Sequence, residues 1–342
     1  MTWQADLAER ARAAMPEPMW DYTRTGALEG VTAAEAEAAW ADVRFAPRVL
    51  RDVTDVEVST SLLGADLATP VGVAPTAMQR VAHPDGERAM ARGAAAAGAL
   101  HVVSSNAGYP FAAIDVGSPW WVQAYLPPRR AELVPMLEAA VRAGARAAVL
   151  TVDTPVPGDK RVPREEDWRG IDLSWFRCNV DAPAGVRWAA DVTPDDIGWL
   201  REATGLPVVV KGVLRADDAR TCVEAGAAAV WVSNHGGRQL DRAVSTRYAL
   251  PHVAAEVGDD VEVYVDGGIR SGLDVLAGLA LGADAVFCGR LPVHALAAGG
   301  APEVAGLLTR LTQELVDAMR LAGCPRPSDT RGIVAQSPPQ GL

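Results

Sequence analysis

His235 and Arg238 stand three residues apart with Gly236 and Gly237 between them. An imidazole can take or hold a proton near neutral pH, and a planar guanidinium can grip a carboxylate through two parallel hydrogen bonds. The glycines let backbone approach a ligand closely or adopt positive φ. The four lie in Ser233-Asn234-His235-Gly236-Gly237-Arg238-Gln239-Leu240-Asp241, directly after Ala227–Val232, a run that reads as a short, fully buried strand. A base and a carboxylate clamp at the end of a buried strand are badly placed for packing and well placed for chemistry. The bland alternative is a polar loop with an incidental histidine, and the rest of the chain argues against it.

Those residues need a frame, and the sequence repeats one. Short apolar runs end in something polar and are followed by Ala-rich helical segments. The runs are 70–75, 100–104, 121–125, 147–152, 207–210, 228–232, 261–265 and 285–288; helix formers fill 130–143, 216–225 and 272–281 between them. Continuous apolar strands alternating with helices predict a parallel sheet covered by helices. Eight such units predict a (β/α)8 barrel, and no G-x-G-x-x-G opens a helix as a doubly wound sheet would require. One domain over 1–342 is expected: an N-terminal extension (1–69), the barrel (70–325) and a tail (326–342). The extension reads as an amphipathic helix, the Trp20-Asp21-Tyr22 segment, a helix near Thr32–Trp40 and a hairpin around Thr54–Leu67. It can plug the barrel bottom or reach over its side. After the fourth strand, residues 155–206 carry a charged patch and Trp168, Trp175, Trp188 and Trp199. So long a connection reads as a lid over the active face or as an oligomer contact.

In a barrel, catalytic groups come from the C-terminal ends of the strands. Those ends read Pro75-Thr76-Ala77, Ser104-Ser105, Gln123-Ala124-Tyr125, Thr151-Val152-Asp153, Lys211-Gly212, Ser233-Asn234-His235, Asp266-Gly267-Gly268-Ile269-Arg270 and Gly289-Arg290. The last two place backbone N–H groups and guanidinium where barrels usually bind phosphate. Lys211 at the end of the fifth strand calls for an anion or developing negative charge. Asp153 can face His235 across the mouth and stabilise imidazolium, or cap a helix before Thr154-Pro155.

At these residues the chain resembles the FMN-dependent α-hydroxy-acid oxidases and dehydrogenases of the glycolate oxidase, lactate oxidase and mandelate dehydrogenase type. The matching pieces run in order over roughly residues 15–325: Asp21-Tyr22, Gly26-Ala27, Ala74–Met78, Gln123–Tyr125, Leu150–Pro155, Val210–Val213, the nine-residue motif, Asp266–Arg270 and Gly289-Arg290. The resemblance implies FMN as cofactor, an (S)-2-hydroxy acid as substrate and O2 as acceptor, giving the 2-oxo acid and H2O2. It implies His235 as the base with Asp153 as its partner. Arg238 and Tyr22 would hold the substrate carboxylate, with Tyr125 near the substrate hydroxyl. Lys211 would favour the reduced, anionic flavin. Pro75, Thr76, Ala77, Ser104, Gln123, Thr151, Ser233, His235, Gly236 and Arg238 would line the ring site, and Asp266, Gly267, Gly268, Arg270, Gly289 and Arg290 the ribityl and phosphate site. Removal of the hydroxyl proton with hydride transfer and removal of the α-proton both fit this set. A dehydrogenase with a quinone or protein acceptor, and a flavin barrel without net oxidation, are the neighbouring readings.

The chain departs from the family pattern in places. Asn106 stands where a bulky tryptophan is common, and with Tyr109 it points to a polar or aromatic substrate pocket. Where a second active-site arginine is usual, Asp159-Lys160-Arg161 offers Lys160 or, with a one-residue shift, Arg161. Composition bounds the rest. Lys plus Arg number 32 against 43 Asp plus Glu, a net charge of −11, which argues against nucleic acid or an anionic membrane as partner. Residues 93–114 carry no charge but are too polar and Gly-broken to span a bilayer. Cys178, Cys222, Cys288 and Cys324 are widely spaced and read as reduced thiols. With no signal-like N-terminus and no peroxisomal tripeptide in Pro338–Leu342, a cytoplasmic location is expected, and the tryptophans with the family resemblance imply a homo-oligomer, tetramer or octamer.

Overall fold

The computed structural model describes residues 2–114, 117–180 and 188–335. Eight parallel strands close into a barrel: β3 (Val71–Val73), β4 (His101–Ser104), β5 (Trp120–Ala124), β6 (Ala148–Thr151), β7 (Val208–Val213), β8 (Ala229–Val232), β9 (Glu262–Val265) and β10 (Ala285–Cys288), with β10 returning to pair with β3. Each is buried along nearly its whole length, which is why the runs read as continuous apolar stretches rather than as alternation.

Alternation is present, but it divides two apolar environments. Val102, Trp121, Val149, Val209, Trp231, Tyr264 and Phe287 point into the barrel and form one cluster. Their neighbours Val103, Val122, Ala148, Val208, Val230, Val263 and Val286 pack outward against the helices. Because the period is two, the next inward position on each strand is fixed. It is Ser104, Gln123, Thr151, Lys211, Ser233, Asp266 and Gly289. The polar strand ends are thus the top layer of the barrel interior. Register holds that layer level, with Ser104 beside Gln123 and Thr151 beside Lys211.

The extension does both things expected of it. The hairpin is shorter than the sequence reading, since only β1 (Thr60–Leu62) and β2 (Ala65–Leu67) pair. Leu62 and Leu67 join the interior cluster, and the Leu63 amide donates to Glu262 Oε1 at 2.9 Å, so the hairpin stoppers the end opposite the polar layer. Helix α1 (Trp3–Ala14) lies on the Arg290–Ala322 helix, with Trp3 Nε1 donating to Glu314 Oε1 at 2.9 Å. Helices α2 (Glu17–Arg24) and α3 (Val31–Ala41) climb to the mouth. There Trp40 Nε1 donates to the Gly267 carbonyl at 2.7 Å and the Thr32 amide to Asp241 Oδ1 at 3.0 Å.

The segment after β6 is also shorter than its sequence reading. Asp195–Thr204 is a helix in the barrel's ordinary alternation, so the excursion ends before it. Residues 181–187 within the excursion, and the Pro338–Leu342 tail, lie outside the described residues. Among the described residues no helix is long and apolar enough to cross a membrane.

Candidate active site

Of the expected site residues, all but Gln123, Asp153, Lys160, Arg161 and Ser233 line one cavity at the barrel mouth. His235 at that mouth is held from two directions. His235 Nδ1 lies 2.8 Å from Asp153 Oδ1, and the Tyr125 hydroxyl stands 3.5 Å from Nε2. Asp153 therefore orients imidazole rather than capping a helix, and only Nε2 is left for chemistry. His235 itself takes φ +56°, a left-handed conformation that is costly for a side-chain-bearing residue and that turns its ring over the mouth. Asp153 fits behind it because residue 212 is glycine at φ +113°; a Cβ there would lie 2.7 Å from Asp153 Cβ. Burial pushes the Asp153 carboxyl up, but the charge and hydrogen bond of His235, with Lys211 and the Thr154 hydroxyl, outweigh it and hold the group below its ordinary range. Burial, then Asp153 and Tyr22, raises the Tyr125 phenol, which stays a neutral donor.

Beneath the histidine lies a buried charged triad. Lys211 Nζ is 3.0 Å from Asp266 Oδ2 and donates to Ser233 Oγ at 2.8 Å; that hydroxyl donates to Asp266 Oδ1 at 2.6 Å. The His235 amide donates to the same Ser233 oxygen at 3.1 Å, which ties His235 to the lysine. Ser233 thus works from behind the lining. Gln123 does the same, donating to Thr151 Oγ1 at 2.9 Å and accepting from Ser104 at 3.2 Å.

Arg238 lies over the Tyr22 ring, 4.4 Å from its centroid, and one nitrogen donates to the Tyr22 and Thr25 carbonyls. Its Nη2 is buried with no partner. An orphaned guanidinium nitrogen beside a histidine is the donor a carboxylate needs. Arg290 is fixed by the carbonyls of Thr23, Thr25 and Gly236 and meets no carboxylate among the described residues. Burial, then repulsion from Arg238 and Arg270, brings its guanidinium down to about 9. Gly267 and Gly268, both at φ +92°, turn the chain beside it. Such a buried, mutually repelling cation set accepts a phosphate, so these residues fit the phosphate end of a flavin mononucleotide.

A family model described as FMN-dependent dehydrogenase matches residues 11–336. The chain belongs to that family. It is 39% identical over 331 residues to glycolate oxidase 3 of Arabidopsis thaliana, covering 92% of this chain and 90% of that protein. It is 37% identical to an L-lactate oxidase of Nostoc, covering 95% of each. A mandelate oxidase structure with (S)-4-hydroxymandelic acid superposes with a TM-score of 0.90 at 38% identity, over 96% of this chain and 97% of that one. FMN is accordingly the cofactor of this FMN-dependent dehydrogenase family member.

Lys160 and Arg161 part company in the structure. Arg161 lines a separate cavity between α3 and the start of the Arg290–Ala322 helix. Lys160 stays near Arg238; burial, then that like charge, lowers its ammonium to about 8. The excursion covers the mouth: Trp188 stacks on Tyr125 at 5.0 Å and Trp168 meets Tyr22 edge-on at 6.1 Å. Sequence reasoning missed three site elements. Thr23 lines the cavity, Gln239 pins the excursion by accepting from the Gly158 amide at 2.7 Å, and Arg177 reaches Asn106. Gln239 lay in the nine-residue motif and was available as a signal; Arg177 sits in an aperiodic stretch and was not.

Proposed function

We propose that the protein oxidises an (S)-2-hydroxy acid to the 2-oxo acid, with O2 reduced to H2O2. The observation that carries this is the His235–Asp153 pair at 2.8 Å in the same cavity as the unpartnered Arg238 Nη2. Bound FMN would supply the electron sink for the two-electron oxidation, with O2 as the final acceptor. Arg238 and Tyr22 fix the carboxylate, with Lys160 as a second nearby cation. That places the substrate's hydroxyl-bearing carbon by His235 Nε2, which takes the proton while Asp153 stabilises the imidazolium formed. Tyr125 holds the hydroxyl oxygen as a neutral donor. Lys211, ion-paired with Asp266, presents its ammonium at the cavity floor. Pro75–Ala77, Ser104 and Thr151 wall the ring site, while Arg270, Arg290 and the glycines at 267, 268 and 289 receive the phosphate. The chain acts as one catalytic domain. It works in the cytoplasm as a homo-oligomer; the association, though not the location, is supported by the exposed Val49, Leu50 and Leu321 at one surface where the Arg48 amide bonds Ala322.

Purified protein loaded with FMN bleaches anaerobically on adding a 2-hydroxy acid, and in air yields one H2O2 per substrate oxidised. FMN-loaded protein that no 2-hydroxy acid bleaches refutes the reading. Bleaching with peroxide far below stoichiometry reassigns the electron acceptor to a quinone or protein.

A further inference from the structure

Asn106 lines the cavity at the end of β4, where it is only 8% exposed. Its side-chain oxygen is already taken, since Arg177 Nε donates to Asn106 Oδ1 at 3.0 Å. That contact decides which way the amide faces. The oxygen turns toward the arginine, and the NH2 end is left to donate elsewhere. Arg177 comes from the covering excursion, lies half-buried with its guanidinium 4.7 Å above the Trp188 ring, and forms no ion pair with any described carboxylate. Trp188 in turn stacks on Tyr125, so the group stands against the wall of the reaction site. Arg177 also holds φ +60°, a left-handed backbone that costs free energy without glycine. A half-buried cation with no counter-ion among the described residues, fixing an amide so that its donors are free, is a receptor for negative charge.

We propose that Asn106 and Arg177 form a distal subsite that selects 2-hydroxy acids bearing a second anionic group on the side chain. Asn106 donates to that group directly. Arg177 orients the amide and supplies the field. This rests on the proposed 2-hydroxy-acid oxidation and adds the substrate class to it. A bulky apolar residue at 106 would form an apolar wall; an amide backed by a guanidinium penalises one, because its donors go unpaired.

Isosteric pairs test it by anaerobic flavin reduction of the FMN-loaded protein. (S)-Malate is matched with (S)-2-hydroxy-4-methylpentanoate, and 4-carboxymandelate with 4-isopropylmandelate, so each pair keeps shape and changes only charge. In at least one pair the dianion is expected to win by about tenfold or more in kcat/KM. In Arg177→Gln that ratio falls toward unity, and Arg177→Lys recovers part of it. Neutral members winning in both pairs, or a ratio unmoved by Arg177→Gln, overturns the subsite while the oxidation stands. Failure of all four acids to bleach a flavin that glycolate, lactate or mandelate reduces overturns the subsite alone; failure of those three as well overturns both. Should Arg177→Gln not fold, the wild-type ratios alone decide.

Discussion

Replacing Asp153 by asparagine keeps the side chain's volume and removes its charge from His235. Nδ1 and Oδ1 lie 2.8 Å apart, and the two side chains are only 21% and 13% exposed, so the pair is screened weakly. Two unit charges about 4 Å apart interact by about 4 kcal/mol at an effective dielectric constant of about 20. That attraction acts whenever His235 is protonated, and His235 becomes protonated as it takes the substrate proton, so the charge of Asp153 favours the transition state over the complex with neutral imidazole. Asparagine restores a neutral hydrogen bond of about 1 kcal/mol. The net loss is about 3 kcal/mol, or about 10²-fold in the rate of flavin reduction. Anaerobic stopped-flow measurement at saturating substrate isolates that step, and FMN affinity of the variant is measured alongside. A reduction rate within about threefold of wild type, with FMN bound normally, would refute the view that Asp153 stabilises imidazolium.

Alanine at 212 places a Cβ 2.7 Å from Asp153 Cβ, in a backbone at φ +113°; flavin reduction is expected to slow by about tenfold or more while FMN still binds, and an unslowed variant would separate Asp153's position from catalysis. Lys160 has its ammonium lowered to about 8, so the cation beside Arg238 is present at pH 7 and lost as the pH rises through that value. The pH profile of kcat/KM should fall there on the alkaline side, and Lys160→Arg should carry the plateau past pH 9; a wild-type profile flat to pH 9 speaks against Lys160 in substrate binding. Leu62→Ala removes a plug side chain that is 1% exposed, which should cost about 2–4 kcal/mol in urea unfolding and leave the spectrum of bound FMN unchanged.

The barrel was legible because its strands are buried on both faces. Such strands lose the polar–apolar alternation but keep an apolar run that breaks sharply at a polar end. The break is the information: Ser104, Thr151, Lys211 and Asp266 each stand where an inward position first meets the cavity. The His235–Asp153 pairing followed from two such ends. What lay between strands was less readable. Asp195–Thr204 hid inside an apparent loop because Gly198 and the acidic Asp195-Asp196 start interrupt its apolar face, although those acids suit a helix N-terminus. The hairpin was overdrawn because residues 54–59 have strand-like composition but pair with no strand among the described residues. Arg177 has no periodic element to announce it; its place depends on how the excursion folds back over Asn106.

Strand β10 pairs with β3 across more than half the chain, with Val286 beside Val71. Phe45 bridges Val334, and α1 lies on the Arg290–Ala322 helix. On a ribosome, then, the wall proposed to receive the flavin phosphate emerges long after Tyr22, Thr23 and Thr25, whose carbonyls brace Arg238 and Arg290. No nascent fragment ending before residue 290 has both halves of the cavity. Cofactor capture is therefore a late event in biogenesis, and the early extension must wait without its partners, a demand that long-range topologies place on folding and on the chaperones that guard it.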